Sequence, residues 1–171
     1  MKNPNQRIGV FIDVQNMYHS AKALYNSRVN FSEIIKTAIA GRKLIRAIAY
    51  AIRAQIPEEE SFFDALRKVG IEVQLKELQT FIGGMKKGDW DVGIAVDIMK
   101  MAPKLDAIVL VSGDGDFQLL MHHIKAAGCR AEVISFGRST SAKLIEESDD
   151  HIDLDKDYRR YTLAISKKKR K

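Results

Sequence analysis

Apolar and polar positions alternate along the chain in two rhythms. The runs IGVFID (8–13), LIRAIAYAI (44–52), IEVQLKEL (71–78), AIVLVS (107–112) and AEVISF (131–136) are short and rich in Ile, Val and Leu, so each predicts a strand. Between them the apolar residues recur at helical spacing. That pattern predicts helices over 17–40 in two pieces, 58–69, 91–102 and 116–127, the last stopped by Gly128, with a further helix over 140–148. Strand and helix in regular alternation predict a parallel sheet covered on both faces. The expected fold is therefore α/β, a single three-layer domain around a central, mainly parallel sheet of five strands or slightly more.

Length and composition agree with one core. At 171 residues and 46% hydrophobic the chain is long enough for one substantial core and short for two, and no Ser/Gly/Pro-rich linker or internal repeat divides it. The expected division is a domain over 1–155 and a basic tail over 156–171. No apolar run approaches the ~20 residues a membrane helix needs, and MKNPNQR leads into the first strand without a signal-peptide segment, so a cytoplasmic protein with no membrane part is expected. The one cysteine, Cys129, excludes a disulfide framework or cysteine metal cluster and reads as a packing residue at a strand start.

The net charge of +6 is a property of the tail. Eight of the 28 basic and one of the 22 acidic residues lie at 156–171, so that segment carries +7 and residues 1–155 carry −1. The terminal KKKRK is either a solvated, frayed end or an arm that attracts phosphate.

The chemistry concentrates at strand ends. Ligands of parallel α/β folds bind outside the carboxyl ends of the strands, where the strand order reverses. Asp13 closes the first strand in FIDVQN and Asp114 follows the fourth in VLVSGDGDF; Asp91 opens the helix that precedes the fourth strand. If the fourth strand lies beside the first, Asp13 and Asp114 face one another. Each aspartate has a simpler role as a helix cap: Asp13 for the first helix, Asp91 for its own, Asp116 for FQLLMHHIKAAG. Together they are harder to explain that way, because Asp114 and Asp116 repel unless something positive intervenes. A divalent cation meets that need. All-oxygen ligands suit Mg²⁺ or Mn²⁺, no His/Cys cluster suits zinc, and the adjacent His122 and His123 read as helix surface and packing. A cation so held favours phosphodiester hydrolysis.

FIDVQNMY, KKGDWDVGIAVDIM and VLVSGDGDFQLL, in this order and at these strand ends, resemble the NYN domain, the LabA-like branch of the PIN-like nucleases, over residues 7–150. The resemblance implies a PIN-like α/β domain with a parallel sheet, an acidic metal site and a ribonuclease activity, actual or inferred. Carried across residue by residue, Asp13, Asp91, Asp114 and Asp116 are the catalytic and metal-binding acids. Asn16 binds substrate or metal-bound water, or is simply a first-turn residue, while Ser112 and Gly113 form the turn that presents the acidic pair. Asp97 matches a family aspartate but is a subordinate candidate, since six residues at ~100° each put it about 240° round the helix from Asp91. In the segment after the first strand, where PIN-like nucleases often carry another acid, the chain offers only Glu33.

The connection QTFIGGMKKGDW (79–90) is long for an α/β unit, where about 2–6 residues are usual, and so is expected to carry function. Lys86 and Lys87 are candidate phosphate contacts; Arg42, Lys43 and Arg138, the last just past the fifth strand, are weaker ones. Phe81 or Trp90 offers a ring to a base, although anchoring the loop is the simpler role for Trp90. The expected activity is a metal-dependent ribonuclease, with a non-catalytic RNA-binding or regulatory module as the alternative. A phosphoaspartyl enzyme is disfavoured because no acid follows Asp13 by two residues. RNA is the expected partner, and apolar helix faces leave room for a homodimer.

Overall fold

A computed structural model of the chain describes residues 2–80, 82–84 and 86–165. In chain order the elements are β1 (Arg7–Asp13), α1 (Val14–Tyr25), β2 (Ser27–Val29), α2 (Phe31–Ile39), β3 (Lys43–Arg53), α3 (Glu59–Lys68), β4 (Glu72–Glu77), β5 (Gln79–Thr80), β6 (Lys86–Lys87), α4 (Asp91–Met101), β7 (Ala107–Val111), α5 (Gln118–Ala126), β8 (Arg130–Ser135), α6 (Ala142–Glu147), β9 (Asp150–Asp153), α7 (Tyr158–Tyr161) and β10 (Thr162–Ala164). The five expected strands are β1, β3, β4, β7 and β8. They form, with β9, a six-stranded sheet in the order β4-β3-β1-β7-β8-β9, and every pairing in it is parallel.

Successive side chains of a strand point to opposite faces, and both faces here are covered. Ile8, Val10 and Ile12 of β1 pack with Met17 and Ala21 of α1, Ile34 and Ala38 of α2 and Phe63 and Leu66 of α3. Phe11 turns the other way, with Ile108 and Leu110 of β7, onto Ile94 and Ile98 of α4, Met121 and Ile124 of α5 and Leu144 of α6. The result is the three-layer α/β arrangement expected from the alternation. Cys129 is buried in the second face, as a packing residue should be.

Three features carried no periodic signal. Strand β9, DHID, is half-exposed throughout and has no apolar run; β2 lies in the expected break between α1 and α2 and pairs antiparallel with β10; β5 and β6 form a two-stranded hairpin inside the long connection. The chain from Tyr158 to Ala164 thus packs on the domain, with Tyr161 buried and its hydroxyl 3.0 Å from Thr37 Oγ1. Arg42 also differs from its expected role. It lies at the amino edge with its side chain fully buried, and it makes two 2.9 Å hydrogen bonds to Glu132, so phosphate cannot reach it.

The strand order places the site. From β1 the chain moves outward to β3 and β4, then returns across the sheet to β7 on the opposite side of β1, so the order reverses between β1 and β7. Their carboxyl ends carry Asp13 and Asp114. Among the described residues, no helix is long and apolar enough to cross a membrane.

Candidate metal centre

The local structure at each strand end is built by the acidic residue itself. Asp13 ends β1 and caps α1, its Oδ1 accepting the Asn16 N–H at 3.1 Å. Asp114 caps the short 3-10 turn at Gly115–Phe117, its Oδ1 accepting the Asp116 N–H at 3.0 Å. Capping and clustering are therefore both present: a carboxylate that caps with one oxygen still offers the other. Asp91 occupies the first turn of α4 and has no such cap.

Asp13, Asp91 and Asp114 converge, with one carboxylate oxygen from each lying within 4.8 Å of the others. They line a cleft of about 250 Å³ together with Gln15, Asn16, His19, Tyr50, Asp89 and Trp90. Negative charge so concentrated favours the protonated form of a buried carboxylate beside it. Asp91 is pushed up to about 6, by burial first and then by Asp114, Asp13, Asp89 and Asp116. Burial also raises Asp13; the hydrogen bonds from Asn16 and Ser112 partly offset it, and Asp114 and Asp89 add to it. The donor set is all oxygen, arranged around a common point and short of positive charge, which fits a hard divalent cation such as Mg²⁺ or Mn²⁺.

The two strand ends are tied together. Ser112 is fully buried; its hydroxyl donates to Asp13 Oδ2 at 3.1 Å and accepts the Asp114 N–H at 3.2 Å. Ser112 thus ties the Asp13 carboxylate to the backbone of Asp114. The side chain of Asn16 accepts the Gly113 N–H at 2.9 Å, linking α1 to the β7 turn. A Cβ on Gly113 would meet Thr140 Oγ1 at 2.8 Å and the Ser139 carbonyl oxygen at 3.0 Å, so glycine is what lets that turn approach the next loop.

The remaining sequence candidates lie elsewhere. Asp116 is exposed and outside the converging group, although its charge is felt at Asp91. Asp97 accepts the hydroxyl of the cleft residue Tyr50 at 2.8 Å and is not one of the three converging carboxylates. Glu33 pairs with Lys36 and Arg160. Arg138 sits on the carboxyl edge but over the Tyr25 ring, at 5.2 Å, and 3.7 Å from Asp155. Lys86 and Lys87 form β6, while their side chains, Phe81 and the KKKRK segment lie outside the described residues. Of the two roles weighed for Trp90, the structure has the anchoring contacts: its indole N–H donates to the Ala51 carbonyl at 2.9 Å and its ring packs on Tyr50.

Sequence reasoning missed four lining residues. Gln15 and His19 share a face of α1 with Asn16, a spacing of three to four residues visible in QNMYH; Asp89 stands two before Asp91 in GDWD. Tyr50 had no signal, because it enters only through the β1–β3 register that sets it beside Asp13.

The family model of the NYN domain matches residues 7–155. The chain is 26% identical over 163 residues to the low amplitude and bright protein LabA of Synechococcus elongatus, an alignment covering 86% of this chain and 83% of that protein. A crystal structure of a protein of unknown function from Vibrio parahaemolyticus superposes with a TM-score of 0.86 at 35% identity, covering 95% of this chain and 99% of the other.

Proposed function

The chain belongs to the NYN domain family, and from that premise we propose that it is a divalent-metal-dependent ribonuclease acting on RNA in the cytoplasm, with its centre at Asp13, Asp91 and Asp114. The observation that carries the reading is the convergence of these three carboxylates at the point where the strand order reverses. They would hold Mg²⁺ or Mn²⁺. Such an ion, when bound, neutralises charge developing on a phosphodiester and makes water a better nucleophile.

The chain's own residues supply positioning. Asp13 is fixed by hydrogen bonds from Asn16 and Ser112, and Asp114 by its place in the Ser112–Gly113 turn, so neither has to reorganise when charge arrives. Asn16 uses its side-chain oxygen on Gly113, which leaves its amide N–H₂ to donate into the cleft. Gln15 and His19 offer further polar contacts on the α1 side, while Tyr50 and Trp90 form the opposite, aromatic wall.

A second reading is favoured by the size of the carboxylate set. Asp97 is engaged by Tyr50, Glu33 by Lys36 and Arg160, Asp116 stands outside, and Asp89 lines the cleft without joining the converging group, so three carboxylates converge where two ions would need a fuller set. That is compatible with an RNA-binding module in which one ion serves structure. The test is incubation of labelled single-stranded and structured RNA with Mg²⁺ or Mn²⁺, beside an EDTA control and Asp114→Asn. Asparagine still caps the turn, so the variant removes charge without removing the fold. Cleavage by the wild type alone, and only with metal, is expected. Intact RNA, or equal cutting by Asp114→Asn, overturns the ribonuclease reading, and RNA bound but uncut selects the module.

A further inference from the structure

Two of the three converging carboxylates are fixed by capping hydrogen bonds of their own, Asp13 to the Asn16 N–H and Asp114 to the Asp116 N–H. Asp91 has none: among the described residues no hydrogen bond holds its carboxylate, and α4 begins without a side-chain cap. Something else must set where the first turn of α4 lies.

The neighbouring side chain is anchored on several sides. The Trp90 indole N–H donates to the carbonyl of Ala51 at the carboxyl end of β3, at 2.9 Å. Its ring lies 5.3 Å from Tyr50 at an interplanar angle of 60°, and the Lys76 ammonium stands 5.0 Å over it. The same ammonium donates to the Asp89 carbonyl at 2.9 Å, so β4 grips the segment one residue before the tryptophan. The indole folds back over the helix it precedes. A Cβ on Gly93 would stand 2.5 Å from Trp90 Cε3 and 2.9 Å from Cζ3, so no larger residue leaves room for this ring. The Trp90 carbonyl then accepts the Ile94 N–H at 2.7 Å, joining the anchored residue to the helix.

We propose that Trp90 is the positioning residue for Asp91, clamping the GDWD segment to the ends of β3 and β4 so that the Asp91 carboxylate reaches Asp13 and Asp114, with Gly93 as the space that permits it. The proposal rests on the metal-centre reading for its functional meaning, but the placement of Asp91 is a property of the polypeptide and is tested separately. Asp91 sits immediately after the anchored residue, and a displacement of ~1 Å at such a site is enough to matter.

The experiment compares wild type, Trp90→Ala, Trp90→Phe and Gly93→Ala. Crystal structures in EDTA give the Asp91 position, Mn²⁺ titration followed by electron paramagnetic resonance gives affinity, and thermal unfolding reports the fold. In Trp90→Ala the Asp91 oxygen is expected to leave the 4.8 Å group while the Asp13–Ser112 and Asn16–Gly113 hydrogen bonds persist. Mn²⁺ affinity falls by about 10- to 100-fold, the usual cost of losing a supporting residue around a metal. Trp90→Phe keeps the packing on Tyr50 without the N–H and recovers part of that loss; Gly93→Ala displaces the indole and resembles Trp90→Ala. Should Trp90→Ala fail to fold, Gly93→Ala and Trp90→Phe carry the same comparison. Asp91 unmoved with the clamp broken overturns the proposal. Absence of Mn²⁺ binding by the wild type would instead sink the metal reading, and the crystal structures would still decide the role of Trp90.

Discussion

Replacing Asp91 by asparagine is expected to stabilise the metal-free protein while removing most of its affinity for divalent cations. Asp91 is raised from the ordinary 3.8 to about 6 by burial and by the charges of Asp114, Asp13, Asp89 and Asp116. For a fully enclosed group that difference corresponds to about 3 kcal/mol, at about 1.4 kcal/mol per tenfold change in proton affinity. Asp91 is only partly buried, and screening by water reduces the figure to about 1 kcal/mol. The sign follows from the direction. Below pH 4 both folded and unfolded chains hold the proton and Asp91 contributes nothing. Between about 4 and 6 the unfolded chain releases it while the folded chain keeps it, so stability falls as pH rises, and above about 6 the full penalty is present.

In EDTA, thermal unfolding of Asp91→Asn and wild type should coincide near pH 4. They should separate by about 2–4 °C at pH 7.5, the shift that about 1 kcal/mol produces in a domain of this size. Adding Mn²⁺ should reverse the order, because an ion at 100 times its dissociation constant stabilises the wild type by about 2.7 kcal/mol. A gap that is the same at both pH values, or a variant less stable than wild type at pH 7.5 in EDTA, would refute the reasoning.

Two further outcomes are expected. Arg42→Ala removes the two-point pair at the amino edge but leaves Glu132 with Arg130 at 2.9 Å and Lys2 at 3.4 Å, so it should cost about 1.5–3 kcal/mol in urea unfolding, while the Mn²⁺ affinity of the folded fraction stays unchanged. Gly113→Ala drives a methyl against the Ser139 carbonyl and Thr140 hydroxyl, so it should cost about 1–3 kcal/mol and weaken Mn²⁺ binding together, since the displaced turn carries Asp114; stability lost with Mn²⁺ affinity intact would contradict that coupling.

Much of this protein is legible along the chain because its signals are local. The five apolar runs become strands of one sheet, and the alternation with helices correctly calls for three layers. Asp13 and Asp114 stand out in sequence because acids at the ends of apolar runs are costly without a purpose, and Asp91 because it opens the helix that leads to the second of those runs. The illegible parts depend on partners distant in the chain. Strand β9 exists because β8 offers it an edge, through Glu132 to Ser135 pairing with Asp150 to Asp153; its own four residues have no strand pattern. Arg42 reads as a surface cation until Glu132, 90 residues away, encloses it.

The sequence by itself determined the class of fold, the strand ends at which carboxylates gather and the hard-oxygen character of their chemistry, because periodicity, capping and residue type act over a few neighbours. Only the tertiary structure decided which acids meet. Parallel pairing of β7 beside β1 brings Asp114 to Asp13, separated by about 100 residues of chain. The anchoring of Trp90 on β3 brings in Asp91. The rotation of α4 sends Asp97 to Tyr50, and the 3-10 turn leaves Asp116 outside. Convergence is a property of register and helix rotation, and those are settled by burial across the whole sheet.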